Sequence, residues 1–215
     1  DNIEIRYNEV RLLEQEGKRA DAIAMLKGIL DSTSRRNYDP QQRATRAKIL
    51  EELGEMYRKN EQYDLALDTF RQMATLDPDS GALASAQVID TYRASKEYAK
   101  ANQESAAAAA KYPNDRVLHE VRAELLSDEG KTEAAVAELR KLLDGRNDRQ
   151  VYLEVADAYQ KAKNFAEMGK ALDEAEKLSK DPESRSGVEF TRGAMYERQK
   201  KYDLARADFQ AAIHL

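Results

Sequence analysis

Four acidic residues stand at one recurring place in the chain, Glu55, Asp90, Glu124 and Asp157, separated by 35, 34 and 33 residues. Carboxylates at a regular interval can do two kinds of chemistry. Gathered in a cleft that shifts one pKa, a pair can act as general acid and base. Spread along an open face, they create a negative potential that selects a cationic partner. Glu52, Glu120 and Glu154 lie close to the same positions and would deepen that potential. Arg58 and Arg93 follow Glu55 and Asp90 by three residues, so on a helix each acid also has a local partner. Exposed pairs of that kind are worth only ~0–1 kcal/mol.

Catalytic machinery is otherwise missing from the sequence. The two histidines, His119 and His214, are far apart, and His119 falls at a helix packing position. There is no Gly-rich phosphate loop, His-Glu-x-x-His pair, Asp-rich calcium loop or Gly-x-Ser-x-Gly elbow. Without Cys there is neither a thiol nucleophile nor a cysteine-ligated metal. No enzymatic activity, cofactor or metal is therefore expected. The 215 residues are 35% charged and 41% hydrophobic, polar for a globular chain but too apolar for disorder. A net charge of −5 argues against a nucleic-acid partner, which calls for a basic stripe. No apolar run approaches the ~20 residues that span a bilayer, so membrane insertion is not expected. No secretory leader opens the sequence, and the composition does not choose a compartment. The chain begins at Asp1-Asn2 without Met and stops at Ile213-His214-Leu215 within a helical pattern, which reads as an excised piece or mature form of something longer.

What must position the acids is a repeat. Around Glu55 the sequence runs Gly54-x-x-Tyr57-(x5)-Tyr63-x-x-Ala66-(x3)-Phe70-(x7)-Pro78. Its middle part returns as Tyr98/Ala101, Phe165/Met168 and Tyr202/Ala205, with degenerate copies at Arg19/Ala22 and Thr132/Ala135. Positions 22, 66, 101, 135, 168 and 205 give intervals of 44, 35, 34, 33 and 37. A period of this length marks units of one helical hairpin, each burying its apolar face against a neighbour. Ile49, Leu50, Leu53 and Tyr57, then Leu65, Ala66, Phe70 and Met73, recur at helical spacing and form such faces. The long first interval holds the polar stretch Asp31 to Pro40, of loop composition. Pro40, Pro78, Pro113 and Pro182 fall between hairpins, and Pro40 suits a first helical turn. Gly17, Asn60, Gly130 and Asn164 read as the turn residues inside hairpins, because they tolerate a left-handed backbone. One array over 1–215 results, with hairpins at roughly 3–34, 40–80, 81–115, 116–147, 148–183 and 184–215.

The second unit, with Leu50, Leu53-Gly54, Tyr57, Ala66, Phe70 and Pro78, resembles a tetratricopeptide repeat. The sixth is similar through Gly193, Tyr196, Ala205, Phe209 and Ala212, and the fifth through Ala156, Tyr159, Leu172 and Ala175. The third keeps Tyr92, Ala101, Ala108 and Pro113, but has Ile89 for the glycine and Ser105 for the aromatic. The first and fourth are weak, with Val10/Leu13 and Ala123/Leu126 at the Gly and Tyr positions. The resemblance implies an all-α, right-handed superhelical solenoid of about six antiparallel helix hairpins. Gly54 and Gly193 would let the two helices of a hairpin approach, and Tyr57, Tyr92, Tyr159 and Tyr196 would fill the space between hairpins. The run Ser105 to Ala110 reads either as a tighter, less regular packing surface or as a solvated alanine-rich helix.

The resemblance also implies where a partner goes. Members of the family bind protein segments on the concave face lined by the first helix of each hairpin, including the position after the glycine. That position reads Glu55, Asp90, Glu124 and Asp157, then Ala194, and Arg11 in the first unit. The expected function is thus a protein-interaction scaffold holding a basic or mixed-charge peptide in an acidic groove, with Arg58 and Arg93 at its edge. Clamps for acidic chaperone tails use Lys, Asn and Arg in the groove, whereas the matching places here include Tyr7, Arg11, Glu52, Leu83 and Gln87. A chaperone-tail clamp is not expected. The alternative is a spacer, docking or self-associating module of a larger protein, joined end to end through Leu204, Phe209 and Ile213.

Overall fold

Strong helix formers fill the intervals between the prolines, and the computed structural model folds them into successive helical hairpins, two of them between Pro113 and Pro182. It describes residues 3–214, with side chains from residue 5 onward. Among them are twelve α-helices and no strand. They are α1 (Ile3–Gln15), α2 (Arg19–Ser32), α3 (Pro40–Lys59), α4 (Tyr63–Leu76), α5 (Gly81–Ala94), α6 (Tyr98–Lys111), α7 (Arg116–Asp128), α8 (Thr132–Arg140), α9 (Asp148–Lys161), α10 (Phe165–Lys177), α11 (Pro182–Arg198) and α12 (Tyr202–His214). The chain is all-α and of the helix-hairpin solenoid class, odd-numbered helices leading each hairpin and even-numbered ones closing it. Leu215, the last position of the sixth predicted hairpin, lies outside the described residues, as do residues 1–2.

Two helix starts are built alike. Pro40 and Pro182 open α3 and α11, each behind an aspartate, Asp39 and Asp181. Asp39 accepts from the Gln42 N–H at 2.8 Å and Asp181 from the Ser184 N–H at 2.7 Å, while the third residue's side chain reaches back. Such caps contribute about 1 kcal/mol each.

The hairpin turns share one geometry. The residue two before each second helix has positive φ: Gly17, Glu61, Lys96, Gly130, Lys163 and Lys200. The N–H after it closes back on the leading helix, as in Gln62 N to Tyr57 O (2.9 Å), Glu97 N to Tyr92 O (2.8 Å) and Asn164 N to Tyr159 O (2.9 Å). This is the Schellman closure, which needs one left-handed residue. Gly17 and Gly130 occupy it as expected. Asn60 and Asn164 do not: their φ values are −97° and −86°, and Glu61 and Lys163 carry the strain instead. The register is set by the carbonyl that the turn must reach, and not by which neighbour tolerates positive φ best.

The chain forms two compact units, Asp1–Val121 and Arg122–Leu215, divided within α7. In the first, Gly54 of α3 admits the Phe70 ring of α4: a Cβ at Gly54 would lie 2.5 Å from it. Phe70 is wholly buried, with Leu26, Ile29 and Met73 among the other large buried side chains. The next hairpin exchanges the sizes, with buried Ile89 at the glycine position and buried Ser105 at the aromatic one. In the run that follows, Ala108 is buried while Ala106, Ala107 and Ala110 are exposed, so the alanine-rich helix packs by one narrow edge. In the second unit the core gathers Val136, Leu139, Val151, Val155, Met168, Leu172 and Val188. There Gly193 holds Phe209 as Gly54 holds Phe70, at 2.8 Å.

Candidate functional site

In the first unit the leading helices stand side by side and are joined by side chains that cross between them. Tyr7 of α1 donates its hydroxyl to Glu52 of α3. Lys59 at the end of α3 reaches Glu14 of α1 at 2.7 Å. From α5, the Gln87 amide donates to two carboxylates of α3, Glu55 at 3.2 Å and Glu51 at 3.4 Å. The result is three glutamates on one helix, two of them bridged by a neutral amide and the third, Glu52, held by the Tyr7 hydroxyl. No Lys or Arg among the described residues forms an ion pair with Glu51, Glu52 or Glu55. The Glu51 carboxyl is accordingly pushed above the usual carboxylate range, first by burial and then by the charge of Glu55. Burial, then the bond to Glu52, also pushes the Tyr7 hydroxyl upward. Gln87 is buried, and its Oε1 has no hydrogen-bond partner.

Arg58 does not turn back to Glu55. Its guanidinium donates to the Gln87 carbonyl at 3.3 Å and lies 5.6 Å from the centre of the Phe70 ring, where it braces α3 against α5. Asp90, one turn beyond Gln87 on α5, does take its local partner, Arg93, at 2.5 Å. Glu55 and Asp90 therefore share one unit and adjacent helices, while Glu124 and Asp157 belong to the second unit. There both acids are exposed, and Lys161 pairs with Asp157 across one turn at 3.2 Å. Reading one repeat register missed the bridge from Gln87 to Glu51, because that contact joins two repeats. The spacing of Gln87 from Asp90, and of Glu51 from Glu55, was the available signal.

The last hairpin of the second unit carries an apolar face. Phe190 of α11 and Phe209 of α12 have ring centres 5.3 Å apart, yet Phe190 remains 61% exposed and Ile213 80% exposed. Tyr202, Phe209 and Ile213 share one side of α12, as 100° per residue requires. Leu204, though exposed, falls on the opposite side from Ile213, and Ala205 is buried in the hairpin.

The tetratricopeptide repeat family matches residues 47–80. No curated protein sequence matches the chain. Among solved structures, a tetratricopeptide repeat protein from Parabacteroides merdae superposes with a TM-score of 0.67 at 17% identity, over 97% of this chain and 77% of its own. Yeast Tom70 gives 0.66 at 19% identity, over 91% of this chain and 39% of its own. A chain of the APC/C hetero-tetramer Cut9–Hcn1 gives 0.57 at 14% identity, over 94% and 38%. The chain carries a tetratricopeptide repeat on a tetratricopeptide-repeat fold. At these identities the likeness to solved structures is one of fold. The matched repeat contains Gly54, Tyr57, Ala66, Phe70 and Pro78, and Glu51, Glu52 and Glu55 lie inside it. Gln87 and Asp90 come from the hairpin after it. Among the described residues no helix is long and apolar enough to cross a membrane. A tetratricopeptide-repeat fold is, in general, a protein-interaction scaffold.

Proposed function

We propose that this chain is a non-catalytic scaffold whose first unit holds a basic or mixed-charge protein segment against α1, α3 and α5. The observation that carries this reading is the pair Glu51 and Glu55, bridged by Gln87, with Glu52 beside them on the same helix and, among the described residues, no Lys or Arg in an ion pair with any of the three. Two acids one turn apart match the fork of a guanidinium, and an arginine there would offset the Glu55 charge that, after burial, raises the Glu51 pKa. The Cut9–Hcn1 hetero-tetramer, which shares the fold, is itself a protein assembly. The test is fluorescence anisotropy with an Arg- and Lys-rich peptide. Glu55→Lys with Asp90→Lys should weaken binding at least tenfold, because like charges then face the ligand. Glu124→Lys with Asp157→Lys should matter less, since both acids belong to the second unit and not to the α1, α3 and α5 face. Unchanged affinity after the first pair of reversals rejects the reading.

A second reading rests on Phe190, Tyr202 and Ile213, whose exposure on one hairpin fits association between copies. Light scattering decides it. A mass that rises with concentration and falls back in Phe190→Asp supports association, and a constant monomer mass removes it.

A further inference from the structure

A groove of about 1010 Å³ opens in the first unit on the side of the closing helices, walled by α2 and α4 and floored by α3. It exists because of the long first interval. The segment between α2 and α3 is organised around Tyr38, whose hydroxyl accepts from the Arg35 N–H at 2.9 Å and whose carbonyl accepts from Arg43 at 3.1 Å. Arg46 stacks over the Tyr38 ring at 5.1 Å. The polar stretch that the repeat does not need is thus an ordered wall.

The rim of this groove is cationic in a chain whose net charge is −5. Lys27 comes from α2, Arg36 from the connecting segment, Arg46 from α3 and Arg71 from α4, against Asp31 and Asp68. Two of the four cations are held by neutral groups, so their charge is not cancelled. Arg46 donates to the Leu30 carbonyl at 2.8 Å and to the Thr33 hydroxyl at 3.0 Å. Arg71 donates to the Tyr92 hydroxyl at 3.0 Å. Leu65, 45% exposed, supplies an apolar contact on the α4 wall.

We infer that this groove is a second docking surface, for an acidic peptide segment that carries one apolar anchor. Carboxylates of the segment meet Lys27 and Arg36 at the mouth and Arg46 and Arg71 within, while the anchor lies against Leu65. The two aspartates on the rim and the acidic chain as a whole disfavour a nucleic acid, whose continuous phosphates need an uninterrupted basic stripe. The surface is separate from the face of α1, α3 and α5 and prefers the opposite charge.

The probe is a fluorescein-labelled peptide of alternating glutamate and alanine with one central leucine. It should bind the full chain, weaken roughly tenfold in Lys27→Glu/Arg36→Glu, and weaken also in Leu65→Asp. Both charge reversals are of exposed side chains, and unaltered circular dichroism and melting confirm that the fold persists. Binding should be indifferent to Glu55→Lys/Asp90→Lys, which separates this surface from the one proposed above. Failure to bind, affinity unchanged in Lys27→Glu/Arg36→Glu, or equal affinity for a single-stranded oligonucleotide overturns the inference.

Discussion

Gly54 and Phe70 show how a single pair of residues sets the spacing of a hairpin. Any Cβ at 54 collides with a ring that is fully buried and has nowhere to move. Gly54→Ala should therefore cost about 1–3 kcal/mol in urea unfolding. The fourth and fifth hairpins solve the same problem with Ala123 opposite Leu139 and Ala156 opposite Leu172. Gly54→Ala with Phe70→Leu imports that solution, so the double variant should lose less than the sum of the singles by about 1 kcal/mol. Strict additivity would mean that the two positions do not share one volume. Gly193→Ala should cost less than Gly54→Ala, because Phe209 is only half-buried and can swing away. Glu51 behaves in the opposite sense. Its carboxyl pKa is raised in the folded chain, so the fold binds a proton more readily than the unfolded chain does, and stability falls as pH rises through that raised pKa. Glu51→Gln should raise the melting temperature at neutral pH and weaken the basic peptide. The stability difference should vanish below the ordinary carboxylate range, about pH 4, where both states are protonated. A lower melting temperature at pH 7 would show that Glu51 is compensated in the fold.

At the scale of elements, the turns separate residue preference from geometric demand. Six equivalent positions must be left-handed, two are glycine, and Glu61, Lys96, Lys163 and Lys200 pay the side-chain penalty. Lys96→Gly and Lys163→Gly should each stabilise by roughly 0.5–1 kcal/mol, the relief of left-handed strain less the entropy of glycine. Gly17→Ala and Gly130→Ala should lose about 1 kcal/mol for a purely conformational reason, since an added Cβ meets nothing within 4 Å. Differential scanning calorimetry of the four variants checks the sign. The same turns mark how far the sequence could be read. The helix pairs were legible because apolar spacing and proline placement agree, and Glu55 and Asp90 were legible because they recur in register. Asn60 and Asn164 misled because the left-handed position is counted from the carbonyl at Tyr57 or Tyr159, a distance no residue type announces. Glu51 and Gln87 escaped because their meeting depends on how one hairpin seats against the next, and the long first interval has loop composition although Tyr38 orders it through Arg35, Arg43 and Arg46.

Over the whole molecule, burial is distributed unevenly in both units, and stability should follow it. Among the described residues Val10 is the one buried side chain of α1, and Ile5 and Leu12 on that helix are largely exposed. By contrast α3 buries Ala47, Ile49, Leu50, Leu53, Gly54, Met56 and Tyr57, and α5 is buried along most of one side. In the second unit α12 buries Ala205, whereas α9 and α10 supply Val151, Val155, Tyr159, Met168 and Leu172 to the core. A repeat protein whose stability is a sum of local packing terms opens where those terms are smallest. Native-state hydrogen exchange should therefore show α1 and α12 opening well below the free energy of α3, α5, α9 and α10. A saturating basic peptide should slow exchange in α1, because the face it occupies is tied to α1 through Tyr7 and Glu52. It should leave α12 unchanged. Protection of α1 equal to that of α3 in the free chain would mean that packing against Val10 and the bonds from Tyr7 and Glu14 hold the helix as firmly as a full core does, and that the acidic face is already rigid before any partner arrives.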